Sequence, residues 1–213
     1  MSRTAPWVAL VVPCDNGEED RPRPLAARAG VVADLKKQGR VHAESFALYV
    51  NDGSRDRTWE LLEERHAIDP FCRGASFAAN AGHQNAVWAG MLTARDMGVD
   101  CTISLDADLQ DDIAAIPEMI DRYMEGNDIV YGVRNDRSTD TPFKRRTAHM
   151  FYGFMRWLKV PLIPDHADYR LVARPVLEAL DEIHEHSLFL RGIFPSLGFK
   201  SAQVFYVRRC RMA

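Results

Sequence analysis

The stretch of sequence that decides the fold is Thr102-Ile103-Ser104-Leu105-Asp106-Ala107-Asp108-Leu109-Gln110-Asp111-Asp112. A short apolar run ends there in carboxylates, which is typical of a buried parallel strand that delivers acids to the carboxyl edge of a sheet. Asp106 and Asp108 are two residues apart, so at a strand end both side chains can point the same way. Two carboxylates aimed at one spot repel each other unless a proton or a cation lies between them. The stretch therefore predicts a site for a hard divalent cation, and Gln110 offers a further neutral oxygen.

The same acids are compatible with two further structures. They fit a solvated loop at the start of a helix, where Asp111 and Asp112 favour the positive end of the helix dipole. An Asp-x-Asp sequence after a strand also fits the nucleophile of an aspartyl phosphatase. A calcium-binding loop is disfavoured, because the glycine and the distal glutamate of that motif are absent. The rest of the chain decides between a cation site and these alternatives.

The composition is that of a soluble globular protein. The chain has 213 residues, 46% of them hydrophobic and 27% charged, which is enough for one domain with a buried core. The net charge of −3 argues against general nucleic-acid binding. We expect no signal peptide, because the apolar run 7–12 is too short and Pro13 ends it. We expect no transmembrane span, because no apolar run approaches about 18 residues. The four cysteines lack metal-ligand spacing, which fits reduced thiols in a cytoplasmic protein.

Strands and helices are predicted to alternate along the chain. The predicted strands are 7–12, 45–50, 73–77, 101–105 and 128–133. The first helix is predicted to begin only near Leu25, because Pro22 and Pro24 disfavour an earlier start. This alternation predicts an α/β fold with a mainly parallel sheet and helices on both faces.

Four of the predicted strands end in polar loops. These loops carry Asp15, Asp52, Asn80 and Asp106. Ligands of such sheets bind beyond the carboxyl ends of the strands, so we expect the loops to converge on one site. No strand is followed by Gly-x-Gly-x-x-Gly or by Gly-Lys-Ser/Thr, which disfavours a dinucleotide cofactor and excludes a P-loop.

Seven short segments carry a family resemblance. They are 11–19, 50–58, 80–83, 106–111, 131–134, 168–171 and 189–192. Among them are the sequences Val50-Asn51-Asp52-Gly53-Ser54, Asp106-Ala107-Asp108-Leu109-Gln110 and Phe189-Leu190-Arg191-Gly192. In order and spacing, the first four resemble the inverting family 2 glycosyltransferases with the GT-A fold. The last three narrow the resemblance to the polyprenyl-phosphate glycosyltransferases, the group of dolichol-phosphate mannose synthase and bactoprenol glucosyltransferase. The resemblance covers nearly the whole chain, which is expected to be a single catalytic domain, 1–213.

The resemblance implies a donor site and a metal site. Asp52 would recognise the nucleotide base, and Pro13 would line the base pocket. Mg²⁺ or Mn²⁺ would be held against the donor diphosphate by Asp106, Asp108 and Gln110.

The resemblance also implies residues that act on the acceptor and the leaving group. Arg134 would meet phosphate charge. Asp168 is the candidate general base, with Arg170 beside it as a phosphate contact. The alternative is that Asp168 only forms an ion pair with Arg170 or Arg174. His83 is expected to be a hydrogen-bonding structural residue rather than a metal ligand, because it has no His or Cys partner at ligand spacing.

The implied function is transfer of a sugar, with inversion, from a nucleotide sugar to a polyprenyl phosphate at the inner face of the cell membrane. The likeness to bactoprenol enzymes favours UDP-glucose. Two alternatives stay open: a non-catalytic nucleotide-sugar binding module, and a nucleotidyltransferase or phosphatase that uses the same acids.

The sequence departs from the family pattern at Asp15-Asn16-Gly17, where an aromatic-Asn-Glu sequence is usual. It also departs after Arg208, where bactoprenol-type relatives continue into membrane helices. A homo-oligomer or a separate membrane partner is therefore among the expectations.

Residues 143–159 are predicted to form an amphipathic helix at the membrane interface. Its apolar face contains Phe151, Phe154 and Leu158, and its cations include Lys144, Arg145 and Arg146. A basic helix with an aromatic-rich face is typical of membrane-surface binding, although an ordinary core helix with a basic outer face fits equally well. The preceding loop, 135–142, is a candidate flap over the acceptor.

Overall fold

The structure is a computed structural model that describes residues 4–18, 22–108, 110–134, 166–183 and 189–207. The predicted interface helix, 143–159, lies outside the described residues, and so do its cations Lys144, Arg145 and Arg146. The predicted flap, 135–142, lies outside them as well.

One mixed sheet runs through the described residues. Its strands are β1 Val8–Cys14, β2 Phe46–Asn51, β3 Cys72–Ser76, β4 Cys101–Ser104, β5 Ile129–Arg134, β6 His166–Ala173 and β7 Ser201–Tyr206. The strand order is β3-β2-β1-β4-β6-β5-β7. Strand β6 runs antiparallel to β4 and β5, and the other neighbours pair in parallel. The predicted mainly parallel sheet is confirmed, whereas β6 and β7 were not predicted from the sequence.

Helices pack on both faces of the sheet, as predicted. They are α1 Pro22–Lys37, α2 Thr58–Ile68, α3 His83–Asp96, α4 Ile116–Met124, α5 Arg174–Asp181 and α6 Leu190–Ser196. On one face, Leu35 of α1 and Ile116 of α4 pack on the sheet. On the other face the sheet is covered by Met91 of α3, Leu177 of α5 and Phe194 of α6. Because both faces are covered, every residue of β1 is buried.

The predicted start of α1 near Leu25 is wrong, because the helix begins at Pro22. The fixed backbone φ of proline suits the first helical turn. The N–H that proline lacks has no acceptor within the helix at that position. Pro22 and Pro24 therefore belong to the first turn of the helix instead of delaying it.

The sheet brings two distant parts of the chain to the same edge. In the parallel register Cys14 at the end of β1 lies beside Asn51 at the end of β2. Strand β6 enters in the opposite direction, and its Arg170 lies beside Ser104 at the end of β4. The amino end of β6 therefore reaches the edge at which β4 delivers Asp106. None of the described helices has the length and the apolar character needed to cross a membrane.

Helix α3 approaches the sheet closely at Gly90. A Cβ atom built on Gly90 would lie 2.5 Å from Cγ1 of Val11 and 2.8 Å from Cγ2 of Val50. Both valines are buried on strands and cannot move aside easily. The Gly90→Ala variant should therefore lower the free energy of unfolding by about 1–3 kcal/mol, measured by denaturant titration.

Gly30→Ala is the control, because nothing lies within 4 Å of the added Cβ in α1. That variant should leave stability unchanged or raise it by up to about 1 kcal/mol. Equal effects of the two substitutions would contradict close packing at Gly90.

Candidate active site

A cleft of about 200 Å³ lies at the carboxyl edge of the sheet. Its lining includes Pro13, Asp15, Asp52, Asn80, Gly82 and His83. Pro13 belongs to the end of β1, and the other residues come from the loops that follow β1, β2 and β3 and from the start of α3. Three of the four polar loops predicted to converge thus line one cleft, and both residues assigned to the base pocket, Pro13 and Asp52, face the same space.

Asp52 forms part of the lining of this cleft. Its side chain is buried, with one carboxylate oxygen accepting from the main-chain N–H of Ala81 at 2.7 Å and the other from that of Gly82 at 3.0 Å. Gly82 has a φ of 94°, which glycine adopts without strain, and α3 begins directly after it. The carboxylate thus fixes the loop that delivers His83 to the cleft. Recognition of the base by Asp52 stays a prediction.

His83 stands between two of the predicted acids. Its Nε2 atom lies 3.6 Å from Oδ1 of Asp106 and 3.9 Å from Oδ2 of Asp168. The imidazole is 44% exposed, so it borders the cleft rather than the core. The structure therefore brings together the acid predicted to bind metal and the acid predicted to act as a base, with one histidine between them.

Asp168 is surrounded by cations. Its carboxylate accepts from Nη2 of Arg170 at 2.5 Å, from Nη2 of Arg191 at 3.3 Å and from Nε2 of Gln84 at 3.2 Å. Burial favours the neutral acid, but Arg170 and Arg191 outweigh it and hold the pKa of Asp168 below its usual range. The ion pair of Asp168 with Arg170, the alternative to a role as base, is present. Asp168 is therefore a weak proton acceptor near neutral pH.

The role of Arg170 as a phosphate contact stays a prediction. The side chain is fully buried, and its guanidinium carbon lies 4.7 Å from the centroid of the Phe194 ring. In this position the cation serves as a fixed counter-ion for Asp168. Arg191 of α6 is 47% exposed, and no role was predicted for it from the sequence. The only signal for it was its place in the Phe189-Leu190-Arg191-Gly192 segment.

The loop after β4 is held from several sides. Nη2 of Arg28, a buried residue of α1, donates to the main-chain carbonyl of Asp106 at 2.6 Å. One oxygen of Asp111 accepts from the N–H of Asp106 at 3.3 Å, and the other accepts from the hydroxyl of Tyr206 at 2.6 Å. The guanidinium of Arg134, predicted to meet phosphate, donates to that hydroxyl at 3.4 Å. Arg28 and Tyr206 were missed, because each acts on a loop far away in the sequence.

The donor set fits a hard divalent cation. Burial, and then the nearby carboxylates of Asp111 and Asp108, raise the pKa of Asp106, and a bound cation would offset both effects. Asp108 accepts from the N–H of Gln110 at 3.0 Å, which closes the turn between them. No three His, Cys, Asp or Glu side chains of the described residues form a metal cage by themselves. A Mg²⁺-like ion needs only one or two carboxylates when ligand phosphates complete its coordination.

The contacts of Asp52 predict a structural cost when it is changed. In Asp52→Asn one acceptor oxygen becomes an N–H₂ group that faces a main-chain donor. A buried donor without an acceptor costs about 1–3 kcal/mol, so the free energy of unfolding should fall by that amount. Hydrogen exchange at Ala81 and Gly82 should also become faster. Asp15→Asn is the matched control, since Asp15 lines the same cleft but is exposed, and its effect should stay within about 0.5 kcal/mol. Unchanged exchange at both amides in Asp52→Asn would contradict this role.

Known proteins resemble this chain in sequence. Residues 31–197 match the family described as "Glycosyl transferase family 2". The chain is 46% identical over 213 residues to the uncharacterized glycosyltransferase YkoT of Bacillus subtilis, covering 100% of this chain and 63% of that protein. It is 35% identical over 207 residues to the bactoprenol glucosyl transferase of Shigella phage SfV, covering 97% of this chain and 64% of that one. The chain thus spans less than two thirds of the length of these relatives.

Solved structures resemble it in fold. Glucosyl-3-phosphoglycerate synthase from Mycobacterium tuberculosis, in complex with Mn²⁺, UDP-glucose and phosphoglyceric acid, matches with a TM-score of 0.56 and 16% identity, over 99% of this chain and 72% of that one. The mannosyltransferase PcManGT from Pyrobaculum calidifontis, in complex with GDP-mannose and Mn²⁺, matches with a TM-score of 0.59 and 15% identity, over 95% and 56%. The expected GT-A fold is confirmed. With this architecture and with the match over residues 31–197, the chain belongs to glycosyltransferase family 2.

Proposed function

We propose that the protein transfers a sugar from a nucleotide sugar to a polyprenyl phosphate, with inversion at the anomeric carbon. The donor that we favour is UDP-glucose. The observation that carries the proposal is the charge around Asp168, where two arginines oppose one carboxylate. The relatives named bactoprenol glucosyl transferase support the same acceptor class.

The donor side of the site is built from the loops after β1, β2 and β4. Pro13 and Asp52 line the cleft that is large enough for part of a nucleotide, and Asp52 remains our candidate for base recognition. Asp106, Asp108 and Gln110 would hold Mg²⁺ or Mn²⁺. Such an ion, when bound, neutralises the charge that develops on a departing diphosphate.

The acceptor side favours a nucleophile that is already ionised. An alcohol needs a base to remove its proton, and Asp168 is a poor base because Arg170 and Arg191 lower its pKa. A phosphate monoester carries about −1.5 to −2 charge at pH 7 and needs no such base. The carboxylate of Asp168 then keeps Arg191 in place, and direct in-line attack of the phosphate oxygen inverts the anomeric centre.

We also propose that the protein works at the cytoplasmic surface of the membrane. The supporting feature is the sequence 143–159, whose cations include Lys144, Arg145 and Arg146. Each cation near an anionic leaflet contributes about 1 kcal/mol to binding. Peripheral attachment of this kind brings a lipid phosphate to the site, alone or together with a separate membrane protein.

The proposed activity predicts a labelled lipid product. The protein should transfer labelled glucose from UDP-glucose to undecaprenyl phosphate in the presence of Mg²⁺ or Mn²⁺, with GDP-mannose as the comparison donor. A chelator should abolish the transfer, and so should Asp108→Ala, which removes one of the two carboxylates. Product is measured by organic extraction and thin-layer chromatography.

Release of free phosphate or pyrophosphate without labelled lipid would identify a phosphatase or nucleotidyltransferase instead. Tight nucleotide binding without turnover would identify a binding module.

Arg191 is predicted to set the affinity for the acceptor phosphate. A hydrogen bond to a charged group contributes about 1.5–3 kcal/mol, so Arg191→Gln should raise the KM for undecaprenyl phosphate at least about tenfold. The KM for the nucleotide sugar should not change, and Arg191→Lys should recover part of the loss. Arg122→Gln is the matched control, because Arg122 of α4 is similarly exposed, at 41%, and its ion pairs among the described residues are with Glu118 and Glu125 of its own helix region. A loss confined to kcat, with the acceptor KM unchanged, would exclude direct contact with the acceptor.

A further inference from the structure

We propose that Tyr206, at the end of β7, is a positioning residue that holds the metal-binding loop after β4 in place through Asp111 and Arg134. The inference rests on the proposed function, since it assigns a role to residues behind the site that would bind the metal and the donor phosphates.

The hydroxyl of Tyr206 reaches this loop through one carboxylate. It donates to Oδ1 of Asp111 at 2.6 Å, while Oδ2 of Asp111 accepts from the main-chain N–H of Asp106 at 3.3 Å. Tyr206 is 4% exposed and Asp111 is 2% exposed, so water does not compete for these bonds. The position of Asp106 along the edge of the sheet is thereby tied to the end of a strand three positions away in the sheet order.

The same hydroxyl also accepts a hydrogen bond. Nε of Arg134 donates to it at 3.4 Å, and Arg134 lies beside Tyr206 in the parallel register of β5 and β7. The tyrosine ring is fixed in turn by Tyr169, whose ring meets it edge-on with the centroids 5.2 Å apart. Tyr169 itself donates to the carbonyl of Asp112 at 3.1 Å. One hydroxyl group therefore orients both the carboxylate of Asp111, next to the proposed metal ligands, and the guanidinium of Arg134, the proposed phosphate contact.

Asp111 is a costly residue if its purpose is only to hold a loop. A buried carboxylate loses its hydration, which costs free energy even when both of its oxygens accept hydrogen bonds. Its negative charge next to Asp106 and Asp108 does have a use at a cation site, since it strengthens the local attraction for a divalent ion. Tyr206 stabilises this buried charge, because its hydroxyl donates a hydrogen bond to Oδ1 of Asp111.

The Tyr206→Phe variant tests this role with the loss of one oxygen atom. Groups that orient metal ligands typically change metal affinity by about 10–100-fold, so Mn²⁺ should bind about tenfold more weakly. Binding is measured by electron paramagnetic resonance of free Mn²⁺, with and without UDP, and requires no turnover. Tyr123→Phe is the control, because Tyr123 of α4 is buried to a similar extent, at 7%, and should leave Mn²⁺ affinity unchanged.

A second variant separates positioning from a loss of stability. Asp111→Asn keeps the size of the side chain but places an N–H₂ group against one of the two donors, so it should weaken Mn²⁺ binding as well. If both residues act through one link, the double variant should bind no more weakly than Asp111→Asn alone. Melting curves recorded without metal show whether either variant has lost its fold. The Mn²⁺ affinity of the variant that remains folded is then compared with that of the wild type.

The outcomes distinguish this inference from the proposed function. If wild-type protein binds Mn²⁺ and Tyr206→Phe binds it equally well, Tyr206 does not position the loop, while the proposed function stands. An equal loss in Tyr123→Phe also overturns the inference, because any buried hydroxyl would then have the same effect. If the wild-type protein binds no Mn²⁺ even with UDP, the metal site of the proposed function is wrong, and the role of Tyr206 fails with it.

Discussion

The parallel pairing of β1 with both β2 and β4 is the constraint on which the site depends. Parallel strands end at the same edge, so the chain must bring its polar loops together there whatever their distance in sequence. Strand β6 adds residues from a segment much further along, because it runs the other way and begins where β4 ends. Asp106 and Asp168 are neighbours for this reason alone.

The acids at this edge differ in how their charge is balanced. Asp52 is satisfied by two main-chain N–H groups, Asp111 by a hydroxyl and an N–H, and Asp168 by two arginines. Burial and the charge of Asp111 raise the pKa of Asp106, whereas Arg170 and Arg191 outweigh burial at Asp168 and lower its pKa. The charge is therefore distributed unevenly along the edge, with carboxylates around Asp106 and arginines around Asp168. The proposed reaction, between a metal-bound diphosphate and an anionic acceptor, would use both regions.

The sequence revealed the elements whose signal is local. Apolar runs marked β1, β2, β4 and β5, and the Asp-x-Asp stretch marked the site. Strand β6 was missed because it carries Asp168 and Arg170, and charged residues do not mark a buried strand. The burial of Arg170 depends on Asp168 and on Phe194 of α6, which only the folded chain brings together. Arg28 lies 78 residues from the carbonyl it binds, and no local pattern encodes such a contact.

Helix α3 connects the packing of the core to the chemistry of the edge. Gly90 lets the helix lie close against β1 and β2, and Asp52 fixes the loop from which the helix begins. These two contacts determine where His83, the first residue of α3, can stand. Its Nε2 lies 3.6 Å from Asp106 and 3.9 Å from Asp168, so the donor-side and acceptor-side acids face each other across a single imidazole. The packing of the helix against β1 and β2 therefore controls the geometry of the polar edge of the sheet.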